Sequence, residues 1–470
     1  MKIKVNILPV SKFKAREGKN SRFDFRKLGL KYCDLPTMID NVAIFLRVLT
    51  LNIDNRHKER KYRIPLWSYL VTISTASAYF FVFVVSAIWF VKERCVAEHD
   101  LLKGIIMFSL CVSSEIGNAK DIIRKIVDES LEFDAKIVPG SRFSNNVLKS
   151  MRKAKLRAMV YWFIIMGNGM AYVGKPLFTP GGHFMDNVFT IYGMIEITDK
   201  ALLLTSDNSS SEGNIISSAI KLRFFILTGL EPIEKSPNFE FGYALVAASV
   251  WFLCYVPANV TSVLIVFAGY IEAQMLALTQ ELLHIWADAE QHYANINLNT
   301  LKRGTFVDAK YKKRVINEFI TMRLHDIIRK HATNVHILHL LEEVFKGAIA
   351  FEFLFLIMGL IAELLGGLQN TILEMPYAFV QVAMDCWTGQ RVMDASAQFA
   401  AAVYACNWEM FDVPNMKIVL LMLASAQKTM KLSAGGVTML SFECLMSVVK
   451  NIYSAYTTLR SAFTINTHAH

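Results

Sequence analysis

Residues 65–91 read PLWSYLVTISTASAYFFVFVVSAIWFV, twenty-seven positions without one charged side chain. About 20 apolar residues in a helix cross the hydrocarbon core of a bilayer, so this run is long enough to span with tilt. The rest of the chain has a matching composition: of 470 residues, 53% are hydrophobic and 19% charged, with a mean hydropathy of +0.34. Soluble domains carry about 25% charge. The 32 Phe and 21 Met exceed what an aqueous core readily hides. Disorder, a coiled coil and a disulfide scaffold are excluded by the same figures.

Working outward, five further segments are apolar enough to cross: Leu101–Gly117 (with Lys103 and Glu115), Ala158–Leu177, Tyr243–Tyr270, Val344–Leu368 and Pro376–Met393. Two more pieces, Met416–Met430 and Met439–Phe463, are parted by LSAGG at 432–436. They read as one broken seventh span, a buried half helix followed by a crossing helix. Thr37–Leu51 is too short to cross and reads as a re-entrant or interfacial helix. The expectation is an all-α membrane protein with seven transmembrane helices. Its parts are a basic segment over 1–64, spans one to four over 65–270, a helical extension over 271–343, spans five to seven over 344–463, and a tail over 464–470.

Charge sets the orientation. The formal net charge is +10, and residues 1–64 hold all of it, with sixteen basic and six acidic side chains. A basic leader before the first apolar run is retained in the cytoplasm. It lacks the interleaved aromatics of a nucleic-acid-binding arm, and the apolar run begins too late for a cleavable signal peptide. Residues 119–157 hold ten basic and five acidic side chains, residues 178–240 four and eight, and residues 271–343 nine of each. The N-terminus, 119–157 and 271–343 therefore read as inside, and 178–240 and the C-terminus as outside. Asn208 opens an Asn-Ser-Ser acceptor in the outer loop, while Asn259-Val-Thr falls within span four. A G-protein-coupled receptor also has seven helices, but its N-terminus is outside. This chain has neither an Asp-Arg-Tyr triplet after span three nor Asn-Pro-x-x-Tyr in span seven.

Enzyme chemistry finds little purchase. His284, His292, His325, His331, His336 and His339 cluster in the inner loop without a His-Glu-x-x-His pair or a nearby Cys, and read as solvated or subunit-facing. The loop's apolar residues recur at helical spacing, which suits contacts between subunits. Seven scattered Cys form no CxxC. There is no Gly-x-Ser-x-Gly, no Walker loop and no dinucleotide turn, and no cofactor or metal is expected. Asp385 in span six and Glu443 in span seven are intramembrane carboxylates, each without an evident partner.

The last helix carries a pattern of its own. Ser447, Asn451, Ser454, Thr458 and Ser461 follow one another at steps of 4, 3, 4 and 3, one stripe of a helix. In hydrocarbon such a stripe must face protein or water. Two readings stay open on pattern alone: a pore wall, if several copies surround an axis, or close-packing glue between helices. No acidic ring marks the stripe, so strong selectivity among cations is not implied.

At this helix the chain resembles the insect odorant receptors. Tyr404, Cys406, Asn407 and Trp408 look like the start of that family's C-terminal signature, and Gln427-Lys428 precedes a Gly435-Gly436 turn. Phe442, Ser447, Lys450, Tyr453, Ser454, Tyr456, Thr457, Leu459 and Arg460 then match its last helix. The likeness covers about 390–463, and it is nearer to a ligand-tuned subunit, such as a moth's, than to the shared co-receptor, whose longer last inner loop is absent. The resemblance implies an odorant- or pheromone-gated, non-selective cation channel, a heterotetramer with the odorant co-receptor in the plasma membrane of an olfactory dendrite. It implies lipid around the bundle and no nucleic-acid partner. Four last helices would line the pore, with Ser447, Asn451, Ser454, Thr457, Thr458, Leu459 and Ser461 facing it and Thr458 at the constriction. The family has bulkier apolar residues there, and a Thr gate suits a subunit that relies on its partner to close. The resemblance also implies a pocket for a small hydrophobic volatile in the outer half. Span two would contribute Met107 and Phe108, and span three Asn168, Gly169 and Tyr172. Span four would add Tyr243, Ala247 and Trp251, and span six Tyr377, Phe379 and Val380. A gustatory-type relative would instead carry Thr-Tyr-x-x-x-x-x-Gln-Phe in the last helix, and a transporter an internal repeat of broken helices.

Overall fold

The computed structural model describes residues 28–48, 121–178, 238–301, 309–366 and 374–468, with the isolated residues 53, 70, 73 and 74. Apart from those isolated residues, spans one and two lie outside the described residues, as do positions 179–237 with Asn208, and Met107 and Phe108. What is described is helical apart from one small hairpin. The elements are α1 (Leu35–Val48), an unlabelled helix over 121–135, α2 (Arg142–Phe178), α3 (Asn238–Leu283), α4 (Ile285–Leu301), α5 (Ala309–Gly366) and α6 (Glu374–Tyr404). A 3-10 turn at Trp408–Met410 leads to α7 (Val413–Ala426), the strands β1 (Ser433–Ala434) and β2 (Thr438–Met439), and α8 (Phe442–His468).

Local chemistry sets these boundaries. Asp34 caps α1, its carboxylate accepting from Thr37 N at 3.1 Å and Thr37 Oγ1 at 2.7 Å. Asp412 caps α7 by accepting from Asn415 N at 3.1 Å, with Pro414 in the first turn where a missing N–H costs nothing. The expected break at 432–436 is a hairpin instead. Gly435 and Gly436 take φ of +64° and +75°, a conformation open to glycine, so the chain reverses and pairs Ser433 with Met439. Gly435 N donates to Lys346 O at 2.8 Å, tying the turn to α5. The half helix before it ends at Ala426 and is buried on one side only: Asn415, Val419, Met422 and Ala426 are covered, whereas Val413, Leu420 and Leu421 are exposed.

The helices pack closely where small residues allow it. A Cβ on Gly269 of α3 would lie 2.5 Å from the Ala154 Cβ of α2, so the two backbones cross there almost in contact. Below this crossing lies the main core, with Ile271, Met275, Leu278 and Leu282 of α3 against Ile320, Leu324, Ile327 and Leu341 of α5. Asn415 of α7, fully buried, donates to Asn317 O at 3.1 Å and accepts from Thr321 Oγ1 at 2.8 Å, which fixes α7 on α5. His331 is half-buried and stacks on Phe399 at 4.7 Å, with burial lowering its pKa. Among the described residues, Cys254–Leu283 is the one helical stretch long and apolar enough to cross a membrane (mean hydropathy 1.6), and 89% of its apolar window is covered by the chain itself.

Two charge rings tie the helices together. Glu272 of α3 accepts from Arg157 of α2 at 2.5 Å and from Arg391 of α6 at 2.9 and 2.5 Å. Nine residues on, Glu281 accepts from Arg142 at 2.9 Å and from Arg323 of α5, while Arg142 also meets Asp288 at 2.5 Å.

Near the foot of α1, Asp134 is pushed up to about 6 by burial, with the neighbouring Asp34 adding to the shift. A carboxyl whose folded pKa lies above its unfolded value of about 3.9 supports the fold while protonated and loses that support as pH rises through the folded value. Asp134→Asn should therefore raise the melting temperature at pH 7.5, and the gain should be clearly smaller at pH 5, vanishing only below the unfolded value of about 3.9. Thermal unfolding of the detergent-solubilised chain at both pH values measures it; an equal gain at both would remove titration as the cause.

Candidate functional site

Above the Glu272 ring, α2, α3 and α6 enclose an aromatic cluster. Its buried members include Tyr161, Ile165 and Met166 of α2, Val250, Cys254 and Tyr255 of α3, and Met384 of α6. Phe45 of α1, Trp162, Tyr243, Tyr377 and Val380 pack around them. Phe45 reaches this level because α1 runs beside α3, and its ring centroid lies 5.8 Å from that of Trp162. The Tyr255 hydroxyl donates to Phe45 O at 3.0 Å, and Tyr243 donates to Val173 O at 3.0 Å. Aromatic bodies with a few oriented hydroxyls are what a pocket for a small apolar molecule needs.

The residues expected at the pocket fall around this cluster unevenly. Tyr243, Tyr377 and Val380 pack against it, and Trp251 stacks on Tyr255 at 6.3 Å from the rim. Asn168 and Ala247 are half-buried. Gly169 faces α3 so closely that a Cβ would stand 2.7 Å from Cys254 Sγ, so its role is helix contact. Phe379 is 49% exposed and points away from the cluster. The side chain of Tyr172 lies outside the described residues. Sequence reasoning missed Tyr161, Trp162, Tyr255 and Gln381. The available signal was the i, i+4 stripe Tyr377–Gln381–Asp385, which sets two polar side chains on the face that already carried Tyr377.

Under the aromatic rings the interior turns polar. Tyr161 donates to Gln381 Oε1, Gln381 Nε2 donates to Thr261 Oγ1 at 2.8 Å, and Gln381 also bonds Glu352 of α5. Asp385 is fully buried with neither carboxylate oxygen hydrogen-bonded, in keeping with a carboxylate that lacks an evident partner, and its neighbour Glu352 on α5 is another carboxyl. Glu443, by contrast, is exposed in the first turn of α8.

The last helix has two unlike faces. Cys444 and Ile452 are buried against the chain, with Val448 packed beside them. Ser447, Asn451, Ser454, Thr458 and Ser461 are exposed, and Thr457 is half-buried. The hydroxyls of Thr457 and Thr458 donate to Ser454 O, and that of Ser461 to Thr457 O, at 2.8–2.9 Å. Each therefore keeps an acceptor lone pair for whatever lies outside the helix. The Leu459 side chain lies outside the described residues. The foot of this helix is gripped by α6: Phe442 N donates to Gln390 Oε1 at 3.2 Å, and Gly389 abuts Leu440.

Comparison with known proteins points one way. The family described as 7tm Odorant receptor matches residues 184–453. Odorant receptor 30a of Drosophila melanogaster is 29% identical over 133 residues, 28% of this chain and 34% of that relative's length. The aligned stretch thus spans about a third of the curated relative. Among solved structures, the insect olfactory receptor OR5 of Machilis hrabei in complex with eugenol superposes with a TM-score of 0.59 at 13% identity, covering 91% of this chain and 98% of that one. A second structure of OR5 gives 0.53 at 12% identity, over 90% and 98%. At such identities the agreement establishes the fold.

Proposed function

Because the chain belongs to the 7tm odorant receptor family, whose pattern matches more than half of it, we propose that it is a ligand-tuned subunit of an odorant-gated, non-selective cation channel. It works in a heterotetramer with the odorant co-receptor, in the plasma membrane of an olfactory dendrite, with seven spans, the N-terminus inside and the C-terminus outside. Members of this family are membrane proteins, and the exposed side chains suit lipid: Phe163 and Met170 on α2 and Phe351 and Leu354 on α5 face outward from the bundle. The observation that carries the reading is the two-faced last helix. One side, through Cys444, Val448 and Ile452, seals against its own chain, and a polar stripe is left exposed, suited to water or another subunit. Exposed Val413, Leu420 and Leu421 on α7 supply an apolar surface suited to contacts between subunits.

Coupling runs along α6. Its outer part carries Tyr377, Val380 and Gln381 at the aromatic cluster, and its inner part holds the foot of α8 through Gly389 and Gln390. A ligand that fits the cluster better in one arrangement of these helices biases the pore by that difference in affinity. The test is whole-cell current from cells expressing this chain with and without the co-receptor, challenged with volatile alcohols, aldehydes, esters and aromatics. Fast inward cation current that needs both chains is expected, and Thr458→Val should alter basal current or conductance. Silence to every volatile, with a surface-exposed N-terminal tag, would overturn both topology and function.

A further inference from the structure

Four helices, α2, α3, α5 and α6, meet in the polar layer beneath the aromatic cluster. Three acceptor atoms there have no partner: both carboxylate oxygens of Asp385, which is fully buried, and Oε1 of Glu352. The two carboxyls lie close enough to interact, and among the described residues no basic side chain faces either. The surrounding hydrogen bonds are already used. Tyr161 donates to Gln381, and Gln381 donates to Thr261 and bonds Glu352, so these side chains are engaged with one another rather than with Asp385. Two carboxylates in a dry interior cannot both be ionised without a counter-charge. What would complete this layer is a small group with several N–H or O–H donors and a positive charge.

We infer that the site takes a small primary alkylamine, held as its ammonium ion between Asp385 and Glu352 with the alkyl chain directed up among the aromatic rings. A primary ammonium has three N–H donors, matching the three open oxygens. Tyr377, Gln381 and Asp385 form one stripe of α6, and eight residues at 1.5 Å per residue put the Tyr377 level about 12 Å above Asp385. An alkyl chain of several carbons is of that length, and the rings of the cluster offer it apolar contacts. An amine that takes up a carboxyl proton becomes the ammonium with one O–H bond broken and one N–H bond formed, and no other reactant is needed. A calcium-sized metal ion fits less well, since it requires six to eight oxygen ligands where three are open.

This assignment rests on the odorant-channel reading, and the experiment separates the two. Cells expressing the chain with the co-receptor are challenged with hexylamine, 1-hexanol and hexyl acetate, and responses of the co-receptor alone are subtracted. Hexylamine should act at a half-maximal concentration at least about tenfold below that of hexanol, as expected when a buried polar site is left unpaired by the wrong ligand. Asp385→Asn and Glu352→Gln should each raise the hexylamine value about tenfold or more while moving any hexanol response little. Surface labelling confirms that the variants arrive. If one does not, the other variant and the wild-type amine-to-alcohol comparison carry the test. Currents to hexanol or hexyl acetate without any to hexylamine, or a hexylamine response indifferent to both substitutions, would overturn the amine site and leave the channel reading standing. A wild-type response that depends on bath calcium or sodium through Asp385, with none to hexylamine, would assign the open oxygens to a metal ion and overturn it equally. Silence to all volatiles from a surface-labelled chain would take down the channel reading and the amine site with it.

Discussion

Glu272→Gln is expected to destabilise the chain by about 3–5 kcal/mol, the usual cost of removing one partner from a buried ion pair. The side chain of Glu272 is 5% exposed and holds two guanidinium groups, those of Arg157 and Arg391, 13% and 33% exposed. The carboxamide leaves Arg157 charged and covered with its acidic partner among the described residues gone, and the Arg157 Nε is already without an acceptor. A loss of that size is a large share of a typical stability of about 5–15 kcal/mol. Melting temperature in detergent and the fraction reaching the cell surface should both fall sharply. Replacing all three residues with Met should restore much of the loss, because an apolar trio of similar volume removes the stranded charges too. If Glu272→Gln melts with the wild type, the ring does not hold α2, α3 and α6 together.

That ring shows where the sequence could be read and where it could not. Long apolar runs announce helices by themselves, so α2, α3, α5, α6 and α8 each contain a segment expected to cross. Charges in the connecting stretches were legible only as a sum. Glu272 lies 115 residues from Arg157 and 119 from Arg391, and nothing local in the chain marks such a triad. The same limit hid Glu352 as the neighbour of Asp385, since the two sit on different helices. LSAGG looked like a simple break because two-residue strands have no periodicity to detect; Gly435 and Gly436 were visible, but their contact with Lys346 was not. For the pocket, the family resemblance pointed to the outer part of α6 through Tyr377 and Val380, which do pack against the cluster. It could not say that Phe379, between them, turns outward and that Tyr161 and Tyr255 close the cluster from α2 and α3. The stripe on α8 was legible in full because all its members lie on one helix. Its assignment to a pore depends on copies of the chain that a single sequence does not describe.

Gly389→Ala should uncouple ligand from pore. A Cβ at position 389 would lie 2.3 Å from Leu440 O and 2.4 Å from Leu440 Cβ, well inside contact distance. The obstacle is mostly backbone, and that backbone is held: Leu440 N donates to Leu432 O at 2.9 Å, and Phe442 N donates to Gln390 at 3.2 Å. The clash can be relieved only by moving α6 away from the foot of α8, at a cost of about 1–3 kcal/mol for overpacking a tight core, or more where backbone must give way. Because the contact lies some three helical turns from Tyr377, occupancy of the aromatic cluster should change little while its effect on the pore is lost. The expected result is a large drop in maximal current per surface-labelled receptor with a half-maximal concentration close to wild type. Leu440→Ala should fail to rescue it, since the carbonyl oxygen and the Cβ both remain after that substitution. A Gly389→Ala channel with full maximal current would mean that α6 does not carry the signal, and rescue by Leu440→Ala would mean that the side chain, rather than the backbone, sets the contact.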